Sequence, residues 1–390
     1  MNKIKLLFVI NHLTIGGAQK SLISALKVMD YSKYDVTLYL RKNRTDLLPY
    51  VDSRVNVIIN DDKNHYYRKP YAVFLQLCVK IFNILGKSKK AIEYNKKLTE
   101  AISDYKMAYE KNTHFSDSKY DIAVAYNQGY TAIFVDKCVS AKKKYVFFHT
   151  STDEFHSVHQ DILSRFHKII AEHSDQAVLI SEWYPDYKHK ICIVENFVDS
   201  AFILERSRED MPNKTENKTV LCSCGRFAKV KGFDLAVKSA SELKKAGINF
   251  IWYFVGDGPE RENIENLIKE LSLQNEIILT GMKENPYPYI GTCDIYVQPS
   301  YEENTGITIL EAHRLARPVV STKTVGGTKL IDDKVNGILC DITPVGIAKG
   351  IETLVNDKLL YDTVVRYLQG IDYLQDEKKH AFEWADVLER

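Results

Sequence analysis

Short runs of Val, Ile, Leu, Phe and Tyr alternate along the chain with longer segments in which apolar residues recur at helical spacing. Strands of parallel sheets are buried on both faces and read as continuous apolar runs, and helices connect them. The pattern therefore predicts βαβ units and an α/β fold. In the first half, we predict strands at 4–10, 36–40, 55–59, 121–126, 144–148, 176–180 and 192–194, and helices that include 18–29 and 159–171.

The same pattern starts again in the second half of the chain. Residues 205–218 are polar and have no apolar period, which is typical of a linker. Strands are then predicted at 220–224, 251–255, 276–279, 295–298 and 319–321. We thus expect a first domain over 1–204 and a second domain from 219. Two doubly wound domains would place the carboxyl ends of their strands, where such sheets bind ligands, around one cleft.

Composition supports two domains and excludes several classes of protein. A chain of 390 residues with 45% hydrophobic residues is long enough for two cores. The net charge of +2 and the lack of a recognition-helix pattern disfavour a nucleic-acid partner. Seven scattered cysteines indicate a reducing compartment, and Cys222 and Cys224 lack the second Cys or His pair of a zinc site. No apolar run is long enough to span a bilayer, so we expect a cytoplasmic protein.

Residues 66–97 interrupt the alternation. An apolar, aromatic stretch at 71–85 is followed by Lys87, Lys89, Lys90, Lys96 and Lys97. This composition suits a helix that lies on an anionic membrane. It equally suits a core helix that is followed by a solvated basic helix, and both interpretations stay open.

Two strand-to-helix turns carry residues that suit phosphate groups. Gly16 and Gly17 follow the first strand, where small residues let the backbone of a helix start approach an anion. Arg226 and Lys231 follow the first strand of the second half, and a guanidinium and an ammonium can share the charge of a diphosphate. A plain tight turn and a solvated basic pair are the alternatives.

A pair of carboxylates is the strongest chemical feature of the sequence. Glu303 and Glu311 bracket a loop-to-helix transition, and Gly306 lies between them. Carboxylate oxygens accept protons from the vicinal hydroxyls of ribose or of a hexose. Taken alone, either residue could be a helix cap or a surface carboxylate. With Arg226 and Lys231 upstream, a nucleotide-sugar site is favoured.

On these residues the chain resembles the family 4 glycosyltransferases, which have the GT-B fold of two facing Rossmann-like domains. The blocks that carry the resemblance occur in the family's order along nearly the whole chain. They are Gly16-Gly17-Ala18-Gln19, Val194-Glu195-Asn196-Phe197-Val198-Asp199, Gly225-Arg226 with Lys231-Gly232, Phe254-Val255-Gly256-Asp257-Gly258-Pro259, Leu279-Thr280-Gly281, Glu303 with Glu311, Gly326-Gly327 with Asn336-Gly337-Ile338-Leu339, and Phe382-Glu383-Trp384. The resemblance implies that the second domain ends near 374 and that 375–390 cross back to the first domain.

The resemblance also implies roles for residues of the second half. Arg226 and Lys231 would bind the donor diphosphate, Glu311 the ribose hydroxyls, and Glu303 the hydroxyls of the transferred sugar, in a catalytic role. Backbone contacts to sugar and phosphate would come from Asn304, Thr305, Gly306 and Ile307. The family commonly has Gly-Phe where this chain has Asn304 and Thr305, so the identity of the sugar stays open.

Further roles fall on both halves of the chain. Gly281 and Met282 would lie against the nucleotide base, and Gly16 and Gly17 would close on the diphosphate from the first domain. His149 ends a predicted strand and matches the histidine that the family places near the reacting carbon, although a histidine there is often only structural.

As a member of this family, the protein would be a retaining glycosyltransferase with a nucleoside-diphosphate sugar, most simply a UDP-sugar, as donor and no other cofactor. No Asp-x-Asp occurs in the sequence, so no metal clamp is expected, and Arg226, Lys231 and helix amino termini would supply the positive charge. If 66–97 contacts a membrane, the acceptor would be a lipid-linked sugar or a polysaccharide of the capsule or lipopolysaccharide type.

Two alternatives compete with a transferase. One is a nucleotide-sugar epimerase of the same fold, which would act on its nucleotide sugar without an acceptor. The other is a non-catalytic partner in a glycan assembly complex. The presence of Arg226, Lys231, Glu303 and Glu311 together disfavours the second, because a degenerate site would be expected to have lost some of them.

Overall fold

The chain folds into two compact units. A computed structural model describes residues 3–60, 117–149, 156–209 and 217–389, together with isolated positions between 74 and 115. The first unit is Met1–Glu195 with Phe382–Arg390, and the second is Asn196–Ala381. The second unit thus begins before the predicted linker, whose residues 210–216 lie outside the described part of the chain.

The first unit is built on one parallel sheet of seven strands. They are β1 (Ile4–Ile10), β2 (Tyr34–Leu40), β3 (Asn56–Ile59), β4 (Lys119–Ala125), β5 (Ser140–Phe147), β6 (Lys168–Ala171) and β7 (Ile191–Ile193). Their order is β3-β2-β1-β4-β5-β6-β7, with Leu6 of β1 opposite both Val36 and Ile122. The strand order reverses between β1 and β4, and the carboxyl edge at such a point is where doubly wound sheets bind ligands.

Helices pack against this sheet and bury its strands. Those among the described residues are α1 (Gly17–Lys27), α2 (Tyr130–Cys138), α3 (His156–Ile162) and α4 (Ser174–Trp183), with 3-10 turns at Leu48–Tyr50, Leu163–Arg165 and Pro185–Lys190. All side chains from Leu6 to Ile10 are fully buried. This is the burial expected of a central strand that is covered on both faces.

The second unit has a parallel sheet of six strands. They are β8 (Thr219–Cys224), β9 (Phe250–Val255), β10 (Ile277–Gly281), β11 (Ile295–Gln298), β12 (Val319–Thr322) and β13 (Gly337–Cys340). Their order is β10-β9-β8-β11-β12-β13, so this sheet reverses between β8 and β11. The loops that leave these two neighbouring strands begin at Gly225 and Pro299, and they hold most of the site residues predicted in the second half of the chain.

The helices of the second unit follow its strands. They are α5 (Ser200–Arg206), α6 (Phe233–Lys245), α7 (Arg261–Glu270), α8 (Tyr287–Thr292), α9 (Ile307–Arg314), α10 (Val325–Leu330), α11 (Pro344–Asn356), α12 (Lys358–Gln369) and α13 (Tyr373–Glu389), with a 3-10 turn at Lys229–Lys231. Helix α13 begins in the second unit, and its residues from Phe382 onward belong to the first.

Two sequence predictions of secondary structure are wrong. Residues 176–180, predicted as a strand, lie in helix α4, where Gln176 and Ile180 are buried while Val178 is 57% exposed. Burial of the side chains at i and i+4 follows helical spacing, which cannot be recognised in the sequence because the residues between them are apolar as well. Residues 168–171, predicted to end a helix, instead form strand β6. The helical segment ends before them in a 3-10 turn, in which the Phe166 N–H donates to the Leu163 carbonyl. Strand β13 was not predicted.

Within the described part of the chain, no helix combines the length and the apolarity that crossing a bilayer requires. The segment 66–97, for which the sequence leaves both a membrane-surface helix and a core helix open, lies outside the described residues except for a few positions.

Candidate functional site

The structure brings Lys231 and Glu303 into direct contact. The Lys231 Nζ donates to Glu303 Oε2 at 2.7 Å, although the two residues are 72 positions apart. Lys231 ends the 3-10 turn after β8, and Glu303 lies in the loop after β11. The N–H of Tyr301 donates to the Val230 carbonyl at 2.8 Å and ties the two loops together. The residue predicted to bind the diphosphate and the residue predicted to bind the sugar therefore lie in one site.

A buried polar network fixes the carboxylate of Glu303. Gln298, the last residue of β11, is 4% exposed, and its Nε2 donates to Glu303 Oε2 at 2.8 Å. Its Oε1 accepts from Thr308 at 2.9 Å and from the Tyr296 hydroxyl at 3.1 Å. Burial raises the pKa of Tyr296 well above its usual range, so this hydroxyl stays protonated and donates. The network leaves Glu303 little freedom to rotate.

Glu311 lies on the same helix as Thr308 and is fully buried. Its Oε1 accepts a hydrogen bond from the Tyr287 hydroxyl at 3.0 Å. Thr308, which donates to Gln298, and Glu311 are three residues apart on α9 and therefore lie on the same side of this helix. Gly306 adopts the left-handed conformation, with φ +66, and begins this helix.

The loop from Asn304 to Gly306 packs closely against the start of α10. The Gly326 N–H donates to the Glu303 carbonyl at 2.7 Å. A Cβ at Gly326 would lie 3.1 Å from the carbonyl group of Asn304, so this contact favours glycine. Asn304 and Thr305 are half-buried, whereas Ile307 is buried in the apolar core of the second unit.

Arg226 follows β8, and Gly281 and Met282 lie at the carboxyl end of β10, which is separated from β8 by β9 in the same sheet. Arg226 is exposed and makes no side-chain hydrogen bond or ion pair with any residue that the structure describes. Met282 is 63% exposed and follows Gly281, whose φ is +73. The Gly281 carbonyl accepts from the N–H of Gly256 at 3.0 Å, which holds the ends of β9 and β10 together.

Gly16, Gly17 and His149 belong to the first unit. Gly16 precedes α1 in extended conformation, and Gly17 is the first residue of that helix, which follows β1 after the loop 11–16. His149 follows β5 and pairs with Glu172 through Nδ1 and Oε1 at 2.6 Å. Both side chains are buried, with exposed fractions of 6% and 3%.

Sequence reasoning missed four polar residues that contact predicted site residues: Gln298, Thr308, Tyr287 and Glu172. Gln298 and Glu172 each directly follow or end an apolar strand, and a polar residue at that point of a parallel sheet is a signal that could have indicated them. For Tyr287 and Thr308 the sequence carries no comparable signal. Among the described residues, no three His, Cys, Asp or Glu side chains are grouped so that they could hold a metal ion.

Part of the chain matches a known protein family and a curated relative in sequence. Residues 206–369 match the family model described as "Glycosyl transferases group 1". The lipopolysaccharide core biosynthesis glycosyltransferase LpsE of Rhizobium meliloti is 30% identical over 177 residues, which are 45% of this chain and 50% of LpsE. The chain thus aligns with about half the length of this curated relative.

Solved structures match over almost the full chain. Anabaena HepE in complex with UDP and glucose has a TM-score of 0.73 at 18% identity, covering 99% of both chains. A variant of S. aureus TarM in complex with UDP, fondaparinux and α-GlcNAc-glycerol has a TM-score of 0.71 at 14% identity, covering 99% of this chain and 100% of that one. The predicted fold is confirmed: the protein is α/β, with two Rossmann-like parallel-sheet domains of the GT-B type, and residues 206–369 match the group 1 glycosyltransferases.

Proposed function

We propose that this protein is a retaining, metal-independent glycosyltransferase that moves a sugar from a UDP-sugar to a lipid-linked or polysaccharide acceptor in surface-glycan biosynthesis. The observation that carries the proposal is the contact between Lys231 and Glu303, in the loop that leads into the helix of the buried Glu311. One site then holds a cation for a diphosphate and carboxylates for hydroxyl groups. The UDP bound in HepE and TarM supports the donor class, and the name of LpsE supports a glycan acceptor.

The charges of the site suit the departure of a nucleoside diphosphate. Negative charge builds on the leaving phosphate while the sugar carbon becomes positive, and fixed cations aimed at that phosphate lower the barrier. Lys231 and Arg226 would supply this charge, and donor binding would exchange the Glu303 partner of Lys231 for phosphate. Glu303 would then accept hydrogen bonds from sugar hydroxyls.

Ligand-induced stabilisation tests the proposal directly. We expect UDP and one UDP-sugar to raise the melting temperature, in the presence of EDTA, more than ADP, GDP-mannose or CMP does. A ligand that binds only the folded state stabilises it by about 2.7 kcal/mol at a hundredfold excess over its Kd. No shift with any nucleotide would favour the non-catalytic partner, and turnover of the UDP-sugar without an acceptor would favour an epimerase.

Lys231→Ala is expected to weaken UDP binding by about 1–3 kcal/mol, the range of a charge-assisted hydrogen bond. Isothermal titration of the folded variant with UDP measures the change. Lys238→Ala is the matched control, because Lys238 is an exposed lysine of the following helix that pairs with Asp234 at 3.5 Å. Equal UDP affinity in parent and Lys231→Ala would remove Lys231 from the site.

We further propose that the segment 66–97 contacts an anionic membrane and brings the enzyme to a lipid-linked acceptor. The basic composition of the segment supports this. Phe74, Leu77 and Ile81 also support it, because they are helical positions spaced three and four residues apart. Their exposed fractions are 55%, 52% and 51%. Spacing of this kind places the three side chains on one helix face.

Reversing Lys87, Lys89 and Lys90 to Glu is expected to reduce sedimentation with phosphatidylserine vesicles. Each basic residue near such a surface contributes about 1 kcal/mol, so the loss of three lowers the partition coefficient on the order of a hundredfold. The same reversal at Lys238, Lys244 and Lys245 of the second unit changes the net charge equally and should leave sedimentation unchanged. If both triple variants sediment like the parent, the membrane role is rejected.

A further inference from the structure

His149 is held in one orientation by contacts on several sides. Its backbone N–H donates to Gln128 Oε1 at 3.1 Å, and its ring is stacked on Phe147 with centroids 4.4 Å apart. The ring of Tyr126 lies 5.0 Å away on centroids. Because the aromatic contacts fix the ring plane and Glu172 holds Nδ1, the direction of Nε2 is fixed as well.

The pairing with Glu172 determines which nitrogen carries a proton. An ionised carboxylate only accepts hydrogen bonds, so the short contact between Nδ1 and Oε1 places a proton on Nδ1. In an imidazole that carries only this proton, the lone pair lies on Nε2. This Nε2 is buried and has no hydrogen-bond partner among the residues that the structure describes. A buried polar atom without a hydrogen bond is unfavourable, and a ligand that supplies a donor can restore the bond.

We propose that Glu172 is a positioning residue that holds His149 with Nδ1 protonated and Nε2 presented as an acceptor for a hydroxyl group of the sugar substrate. This inference rests on the proposed glycosyltransferase function, and it assigns a role to a residue of the first unit that the sequence did not indicate. Glu172 itself does not contact substrate in this proposal. It acts through the orientation and the tautomer of His149.

A structural role is the competing explanation of the pair, and its expected effects differ. A merely structural hydrogen-bonded pair would affect the melting temperature and would leave the turnover number of the remaining folded enzyme unchanged. A positioning role requires that the loss of the carboxylate lowers kcat in folded enzyme, while UDP, which lacks the sugar, binds as before.

The tautomer is tested on the parent protein by nitrogen-15 NMR with labelled histidine. His149→Asn identifies the His149 signals by their disappearance. We expect the parent to show a proton on Nδ1 and an unprotonated Nε2. A proton on Nε2, whether or not Nδ1 is also protonated, would overturn the proposal, whatever the variants of Glu172 do.

The positioning role is tested with Glu172→Gln, which keeps the shape of the side chain and removes its charge. We expect kcat with the UDP-sugar found by the melting screen to fall about 10–100-fold, UDP affinity to stay within twofold, and the His149 signals to change. Glu172→Asp, which retains a carboxylate, should recover part of the turnover. Glu182→Gln on the exposed surface of α4 is the control and should match the parent. Parent-like kcat in folded Glu172→Gln would refute the role.

Failure of the proposed function gives a different result. If UDP and UDP-sugars do not bind the parent, the glycosyltransferase assignment fails while the NMR result still reports the tautomer. If the parent binds UDP and turns over the UDP-sugar, and Glu172→Gln does both equally well, only the proposed role of Glu172 fails.

Discussion

Gly232→Ala is expected to lower the free energy of unfolding of the second unit by about 3 kcal/mol or more and to weaken UDP binding. Gly232 has φ +65, a conformation that costs an L-residue about 1–2 kcal/mol. A Cβ there would also lie 2.0 Å from the carbonyl oxygen of Pro299, and overpacking of this kind typically adds about 1–3 kcal/mol. The loops of Lys231 and Glu303 would have to separate to relieve the contact.

Gly247→Ala separates the two causes. Gly247 also has a positive φ, +75, but a Cβ there would meet nothing within 4 Å. We therefore expect only the conformational cost of about 1–2 kcal/mol and unchanged UDP affinity. Hydrogen exchange of peptides from β8 and β11 measures the local stability of this unit without assuming two-state unfolding of the whole chain. If Gly232→Ala and Gly247→Ala lower the free energy of unfolding equally, the short distance from a Cβ at position 232 to the Pro299 carbonyl adds no cost.

The candidate site of the second unit was largely predictable because its key residues lie where parallel sheets present ligands. Lys231 follows β8 and Glu303 follows β11, and these strands are neighbours at the reversal of the sheet. Once the strands are identified, the topology brings the ends of their loops together without any knowledge of side-chain contacts. The sequence therefore indicated the pair, though not its 2.7 Å contact.

The supporting contacts were not predictable, because they depend on side-chain packing between distant elements. Tyr287 reaches Glu311 from a different helix, and Glu172 reaches His149 from the neighbouring strand. Local composition does not encode such pairs. The error at 176–180 has a related origin, since a short apolar run fits a strand and a helix turn equally well until its neighbours determine which side chains are buried.

The carboxyl terminus shows how a sequence motif acquires a physical meaning from its packing. The resemblance singled out Phe382-Glu383-Trp384 without a reason for the tryptophan. In the structure Trp384 is 2% exposed and contacts Phe8 of the central strand edge-on, with ring centroids 5.6 Å apart. Its ring is also stacked with those of Tyr126 and Phe147, at 6.3 and 6.0 Å, and these two rings in turn contact His149.

Trp384→Ala is accordingly expected to destabilise the first unit by about 3–5 kcal/mol, the range for removing a buried tryptophan from a core. Hydrogen exchange of peptides from β1 and β4 should accelerate to match, while peptides from β8 and β9 of the second unit should change little. Because Phe147 stacks on both Trp384 and His149 and would lose the first of these partners, we also expect the NMR signals of His149 to broaden or shift.

Phe382→Ala provides the matched control, since it removes an aromatic ring two residues earlier in the same helix. Phe382 is 71% exposed, so its loss should change stability by less than about 0.5 kcal/mol. A Trp384→Ala variant as stable as Phe382→Ala would mean that residues 382–390 contribute no core packing to the first unit. A large effect of Trp384→Ala alone would show instead that residues 382–390 complete the core of the first unit. It would also show that the packing of Tyr126 and Phe147 against His149 depends on these residues.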